Sequence, residues 1–395
     1  MLRKSPDIPP PDQQLLVHAM TVYAKTLGVN REEVKLCYNE LKGKQSQPYV
    51  IAFDSVKMTP LLIAERDSST GQWHWGTATL KKLADKLGMK LGSVINLNNR
   101  PDLQAEEFSA GTATFVWSKR EPQPGQIDFG WTDRQIEFAL KNGMAITLHH
   151  LVSSGIYPEW VTKKNYTREQ AIALLTGHIR TIIQHFRNQF GKRLNGWKLN
   201  VVNEANNSKE DFFLKTIGPD YIDLAFAEAR KADSTAILAY SDTYNHTADG
   251  RATRFTQSVV ERLKKKRLID VVGLQMHLKR GELPDKNDVM NTMRHYGLPV
   301  HVEEFDVNLQ TISGSPKKRF AWQAQIYQTM MEAAIESGVC ESFTVWGTGD
   351  KNSWYEKNLG QANADATLFD DDYNKKPAYY AMSSALLVAI LDSTK

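Results

Sequence analysis

Two cysteines in 395 residues cannot staple a fold. Cys37 and Cys340 lie far apart in the chain. Two free thiols are expected, and one bridge between them is the alternative. Long apolar runs are missing as well. None approaches the ~20 residues that cross a bilayer, and the longest, Ala385–Leu391, reads as the buried face of a closing helix. Nor does charge of one sign dominate: 49 Lys and Arg face 45 Asp and Glu, a net +4 without long runs. A dedicated nucleic-acid binder normally carries a basic stripe, so that class is set aside. The densest basic cluster, Lys264–Arg267, reads as the solvated end of a helix. The first ten residues lack the apolar stretch of a signal peptide. A cytoplasmic protein, and a secreted one whose leader was replaced by Met1, both fit those residues. No membrane or nucleic-acid partner is expected, and a monomer is.

What is present is an ordinary globular balance. Apolar residues make 41% and charged residues 24%, which excludes a disordered or fibrous chain. The length allows two to three domains, or one large barrel with an extension. Apolar residues at helical spacing predict a helix over 12–28. Asn30 and Glu33 have capping-box spacing, which predicts a second over 31–42. Residues 48–76 carry two apolar runs, a turn at Asp67–Gly71 and Trp73-His74-Trp75, the pattern of strands and hairpins. Tyr49, Trp73 and Trp75 are expected to pack this α+β extension, residues 1–77, onto the remainder of the chain. A carbohydrate platform is the alternative.

From about residue 78 short apolar strands alternate with amphipathic helices. The strands are predicted at Met89–Asn96, Ser109–Phe115, Ala145–His150, Trp197–Asn203, Ala236–Asp242, Val271–His277, Pro299–Asp306 and Glu341–Trp346. The clearest helices are 167–190, 221–232, 252–267, 285–296 and 317–337, with a closing helix near 377–391. Such alternation implies a parallel sheet with crossover helices. Eight strands suit an α/β fold of the closed (β/α)8 TIM-barrel type over 78–395 better than an open sheet.

In such a barrel the chemistry sits at the C-terminal ends of the strands. Those ends carry His149 and His150, Asn203 and Glu204, Asp242 with Tyr244 and Asn245 beyond, Gln275 and His277, Glu303, Glu304 and Asp306, and Trp346 with Asp350 and Trp354 after it. This is more polarity than a barrel end would bury unused. Carboxylates on the fourth and seventh strands would face each other across the mouth. Two carboxyl groups about 5–5.5 Å apart perform retaining glycoside hydrolysis, one attacking the anomeric carbon while the other protonates the leaving oxygen and then activates water. Asn203 could hold the sugar 2-hydroxyl, and Trp346 and Trp354 offer flat faces to sugar rings. The bland readings are salt-bridge roles for Glu303 or Glu304 and core packing for a strand-end Trp.

At these residues the chain resembles glycoside hydrolase family 10, the endo-β-1,4-xylanases. The family's fourth-strand motif, Trp-Asp-Val-Val-Asn-Glu-Ala, is matched from Val201 onward in Val201-Val202-Asn203-Glu204-Ala205. Gly273-Leu274-Gln275-Met276-His277 is similar to its Gly-Leu-Gln-x-His. Glu303-Glu304-Phe305-Asp306 stands for its Thr-Glu-Leu-Asp, and Val345-Trp346-Gly347-Thr348-Gly349-Asp350-Lys351-Asn352-Ser353-Trp354 for its Val-Trp-Gly-x-x-Asp-x-x-Ser-Trp. Pro377-Ala378-Tyr379-Tyr380 resembles its closing helix. The resemblance implies a secreted enzyme that degrades plant polysaccharide without metal or cofactor. It implies Glu204 as acid/base and Glu304 as nucleophile, with Glu303 on the family's Thr position. Asn203 and His277 would bracket the nucleophile and the 2-hydroxyl. Gln275 and His149 would contact the sugar, Trp346 and Trp354 would cover it, and Asp306 would stand behind. Tyr244 would line the reducing-side subsite, or simply cover core.

The departures lie on one side. Where the family has Glu-Asn-x-x-Lys-Trp, gripping sugars on the non-reducing side of the cut, this chain has Thr112-Ala113-Thr114-Phe115-Val116-Trp117. Where it has His-Thr-Leu-Val-Trp-His, this chain has His149-His150-Leu151-Val152-Ser153-Ser154. Losing several contacts of ~1 kcal/mol each weakens ordinary xylan binding. Three readings fit: a retaining endo-glycanase with altered substrate choice, a carbohydrate-binding barrel with little turnover, and a metal-dependent hydrolase using His149, His150, His277 and Glu304. His150 otherwise reads as a packed histidine.

Overall fold

The computed structural model describes residues 33–39, 49–67, 69–206, 211–278 and 283–393, the side chains of 36–39, 75 and 352 excepted. Strands β1 (Val34–Asn39), β2 (Tyr49–Asp54), β3 (Thr59–Arg66) and β4 (Trp73–Thr77) form an antiparallel meander. The helix predicted over 31–42 is thus corrected to β1. Capping-box spacing is a local signal, whereas β2 offers a full ladder from Val34 opposite Asp54 to Asn39 opposite Tyr49. Val, Leu and Tyr at alternate positions suit that ladder. The helix predicted over 12–28 lies outside the described residues.

One face of the meander, with Tyr49, Ile51, Phe53 and Ile63, joins the barrel's apolar core. Lys86 pairs with Glu65 and holds its ammonium 4.8 Å from the centre of the Tyr49 ring. The Ser384 hydroxyl donates to the Met58 carbonyl. Tyr49 therefore packs, as expected. Trp73 is half-buried, and the Trp75 side chain is outside the described set.

Ten strands come after the meander: β5 (Lys90–Val94), β6 (Ala110–Thr114), β7 (Ala145–His149), β8 (Val152–Ser153), β9 (Lys198–Asn203), β10 (Ile237–Asp242), β11 (Val271–Leu274), β12 (His277–Leu278), β13 (Val300–Val307) and β14 (Cys340–Val345). Among the described residues, all but the two-residue β8 and β12 form a parallel ring in the order β5-β6-β7-β9-β10-β11-β13-β14, closed by β14 pairing with β5. Each of the eight predicted strands overlaps one member of this ring. The predicted helices appear at Arg168–Phe190, Tyr221–Ala232, Arg251–Lys265, Lys286–His295, Pro316–Ser337 and Pro377–Ser393. Thr167 and Gln170 make a reciprocal cap for the first. The fold is a (β/α)8 barrel, with the meander packed against its first and last helices. Cys340 is a free thiol buried in the barrel, and burial pushes it up to about 12. The Cys37 side chain lies outside the described residues. No helix among them is long and apolar enough to cross a membrane.

A buried carboxylate closes the ring of helices. Glu107 accepts the Leu80 amide at 3.0 Å, the Tyr379 hydroxyl at 2.8 and 3.0 Å, and the Lys375 ammonium at 3.0 Å. It thereby ties Leu80–Lys86 to the closing helix, whose apolar run is buried at Ala385, Leu386, Leu387 and Ile390 while Val388 is exposed. Tyr379→Phe removes a donor from a buried charge and is expected to cost about 1.5–3 kcal/mol. The check is a lower urea midpoint with an unchanged slope.

Candidate active site

The C-terminal ends of the ring open into a cleft of about 460 Å3 lined by Ile156, Glu204, Thr243, Tyr244, Gln275, His277, Glu304, Trp346, Trp354 and Asn358. Three of the strands leading to it end in backbone reversals. Glu204 follows β9 at φ +59°, Tyr244 follows β10 at +55°, and Met276 follows β11 at +59°. None is glycine, and each such conformation costs of the order of 1–3 kcal/mol. The reversal at Glu204 turns the chain off the strand and leaves its carboxylate over the mouth. The Glu204 amide donates to the Ser241 carbonyl at 2.9 Å, which fixes the turn.

Two carboxylates enter the cleft with different partners. Glu204 Oε1 accepts the Gln275 amide at 2.9 Å and the Asn203 amide at 3.3 Å, both neutral donors. Gln275 also donates to Asn203 Oδ1 at 3.1 Å, so these three side chains form one lattice. Glu304 Oε2 stands 3.1 Å from His277 Nε2, while Glu304 Oε1 has no hydrogen-bond partner among the described residues and lies 3.7 Å from His149 Nδ1. His277 Nδ1 is 2.9 Å from Asp306 Oδ2, which also receives the Trp354 indole N–H at 2.9 Å. The Tyr355 hydroxyl donates to the other Asp306 oxygen at 2.9 Å. Asp306, from the end of β13, thus fixes both the imidazole and the aromatic wall. Burial alone would push His277 down, but the Asp306 carboxylate, then Glu304, outweighs it and holds the ring up to about 10. At neutral pH it is an imidazolium donating to both carboxylates.

A third carboxyl lies behind Glu204. Asp242, fully buried at the end of β10, receives the Tyr240 hydroxyl, the Asn206 amide at 3.1 Å and the Thr243 amide at 2.8 Å. Burial pushes it up to about 7; these donors work against burial, and the Glu204 charge adds to it. Among the described residues no group of three or more His, Cys, Asp or Glu side chains could hold a metal ion.

The residues expected to act on the sugar lie at different depths of this region. Gln275, His277, Trp346 and Trp354 line the cleft; Asn203 and His149 lie beneath it, and Asp306 lies behind His277. Tyr244 lines the cleft and is 57% exposed, a rim position rather than a core cover. His150 is buried, and burial followed by the neighbouring His149 keeps it well below the usual imidazole value, so it packs. Thr112, Ala113 and Ser153 are buried, and the Ser153 hydroxyl accepts from Asn203 at 3.4 Å. None of Thr112, Ala113, Val116, Ser153 and Ser154 is among the cleft's lining residues. Sequence reasoning passed over Ile156, Thr243 and Asn358 in the lining. It also missed Asn200, which donates to Asn203 Oδ1 at 3.1 Å and lies 3.3 Å from His149 Nδ1. A lone amide inside the apolar strand β9 was the available signal.

A (β/α)8 barrel with two carboxylates, amide donors and tryptophans in one cleft defines the glycoside hydrolase class. The profile described as Glycosyl hydrolase family 10 matches residues 79–385. The chain belongs to that family. Endo-1,4-beta-xylanase B of Thermotoga neapolitana is 30% identical over 77% of this chain and 90% of its own length. Endo-1,4-beta-xylanase 1 of Humicola insolens is 28% identical over 78% and 75%. Among solved structures, xylanase 10B of Thermotoga petrophila RKU-1 in complex with xylobiose superposes with a TM-score of 0.73 at 28% identity, covering 80% of this chain and 99% of that one. Native xylanase 10B of Thermotoga maritima gives 0.72 at 28% identity over 80% and 100%.

The imidazolium at His277 generates a prediction. Its titration is raised from 6.5 to about 10, so its contribution to stability is complete below pH 6.5 and lost as pH rises toward 10. Asp306→Asn is expected to move the ring titration down by about one pH unit or more, followed by histidine NMR, and to flatten that alkaline loss of stability. Asp242 has a consequence of the same sign in a lower pH window. Its raised value makes stability fall as pH rises from 3.8 to about 7. Asp242→Asn should abolish a slope of up to roughly 1.4 kcal/mol per pH unit in that window, measured by urea unfolding at several pH values.

Proposed function

We propose that this barrel hydrolyses β-1,4-linked xylan or a related plant polysaccharide at internal bonds, with retention of anomeric configuration. The observation that carries the reading is the pairing of Glu204 and Glu304 in one cleft with unlike environments. Glu304 is the nucleophile. One oxygen is held by His277 at 3.1 Å, and the other has no hydrogen-bond partner among the described residues with which bonding to an anomeric carbon would compete. The contact with His277 fixes the direction of its attack. Glu204 is the acid/base. The Gln275 and Asn203 amides donate to it and orient it over the cleft.

The cycle balances on these two groups. Glu204 protonates the glycosidic oxygen as Glu304 bonds to C1, releasing the reducing-side chain. Glu204, now a carboxylate, takes a proton from water as that water attacks C1 and frees Glu304. Asn203, Gln275 and His149 hold the sugar at the point of cleavage, Trp346 and Trp354 cover it, and Tyr244 receives the leaving side. A binding-only barrel is not favoured, because binding needs neither the oriented acid nor the charged imidazole. The replaced residues at 112, 113, 116, 153 and 154 point to a decorated xylan or a related polymer rather than plain xylan. A polymer of that size cannot enter a cell, so the proposed location is extracellular.

Reducing-sugar release on plain xylan, decorated xylans, mixed-linkage glucan, cellulose and mannan tests the proposal. Glu304→Ala and Glu204→Ala are each expected to lower kcat at least about 10³-fold on the preferred polymer. Proton NMR of the first-formed product should show the β-anomer. An α-anomer, or full activity in Glu304→Ala, overturns the assignment.

A further inference from the structure

Under the cleft the barrel holds a second set of buried charges that the hydrolytic cycle does not use. Lys198, on β9, donates to Glu303 Oε1 at 2.7 Å and lies 3.0 Å from His301 Nδ1, both on β13. The Lys198 and Glu303 side chains are 6% and 4% exposed. In the ring β9 and β13 are separated by β10 and β11, so this contact crosses the barrel interior. The intervening strands make room for it. A methyl group added to Gly273 on β11 would lie 2.7 Å from the Glu303 carboxylate and 2.8 Å from Ser241 Cβ of β10. Burial would push Glu303 up, but Lys198, followed by His301 and Ser241, keeps it below the usual carboxylate range.

The neighbour of Glu303 is Glu304. Successive residues of a regular strand face opposite sides. Here both reach inward, Glu303 to Lys198 and Glu304 to His277 and His149. The strand departs from regularity at that point, because the β13–β14 register slips between Val302 and Phe305. Two consecutive carboxylates share the interior of one barrel, and one of them is neutralised by a lysine from across the ring.

We propose that Lys198 is a positioning residue for the hydrolysis, pinning Glu303 to the barrel floor so that the irregular turn of β13 aims Glu304 into the cleft beside a neutralised neighbour. The proposal rests on the reading of Glu304 as nucleophile. Of the ionisable groups around Glu304, His149 from β7 and His277 of β12 approach it directly, Glu204 after β9 and Tyr244 after β10 share its cleft, and Asp306 of its own strand reaches it through His277, while β14 leads to the uncharged Trp346. All of them stay in place in the test. Only the charge behind Glu304 changes.

The experiment is a cycle of Lys198→Met, Glu303→Gln and the double variant in the full chain. Circular dichroism checks folding, and kcat/KM is followed against pH on the preferred polymer. Lys198→Met leaves an unpaired carboxylate beside Glu304, and the acidic limb should move up by about one pH unit. Glu303→Gln leaves an unpaired lysine, and the limb should move down. The double variant should return the limb to the wild-type position even where its melting temperature stays low. Carbon-13 NMR of the glutamate carboxyls, with Glu304→Gln to assign the signal, reads the Glu304 titration without turnover. A fixed titration with lower melting temperatures overturns the role of Lys198. A shifted Glu304 signal with an unmoved kinetic limb leaves Lys198 in place and overturns Glu304 as nucleophile. If Lys198→Met does not fold, Glu303→Gln against the double variant makes the same comparison.

Discussion

A carboxylate removed from water must be given a hydrogen-bond donor, a cation or a proton, and this barrel buries several within a few residues of one another. Glu303 has a lysine, Glu304 and Asp306 share an imidazolium, Glu204 has two amides, and Asp242, ringed by neutral donors, is pushed toward protonation. The two carboxylates of the cleft are thereby separated in their surroundings, Glu304 beside the His277 imidazolium and Glu204 beside the Gln275 and Asn203 amides.

The backbone serves that separation. Three left-handed residues after β9, β10 and β11 and a slipped ladder in β13 are departures from regular strand geometry. Each costs stability, and each stands where a side chain must be turned into the cleft. The closed ring can hold such strain because each of its eight strands is paired with a neighbour on both sides and a large apolar cluster packs around them. Asp306 extends the rigidity outward. By accepting from His277, Trp354 and Tyr355 together it locks the aromatic wall to the same strand that carries Glu304.

The region of the mouth that departs from the family shows a different economy. Thr112 and Ala113 are absorbed into buried β6, and Ser153 turns to Asn203. The cleft lining comes from the ends of β9 through β14 and from the helix Trp354–Leu359 that comes after β14, with Ile156 as the exception. The cleft is therefore walled by the residues flanking Glu204 and Glu304, including the exposed ring of Tyr244.

Much of this was legible in the linear sequence. Strand and helix alternation gave the barrel, because a strand buried on both faces must be a short apolar run and a crossover helix must show one apolar stripe. The polar residues ending those runs pointed to the mouth for the same reason. Asn30 and Glu33 misled, since a capping pattern carries no information about whether a neighbouring strand such as β2 competes for the same backbone. Asn200 and Lys198 were passed over because their partners, Asn203 with His149 and Glu303 with His301, are set by strand order rather than by spacing. The sequence by itself determined which elements form and which chemistry collects at their ends, because both follow from local polarity. The resemblance singled out Glu304 over Glu303, but only the closed ring shows how both fit inside one barrel, Glu304 in the cleft and Glu303 turned to Lys198. That choice depends on a ladder slip in β13 and on a cation from a strand across the barrel.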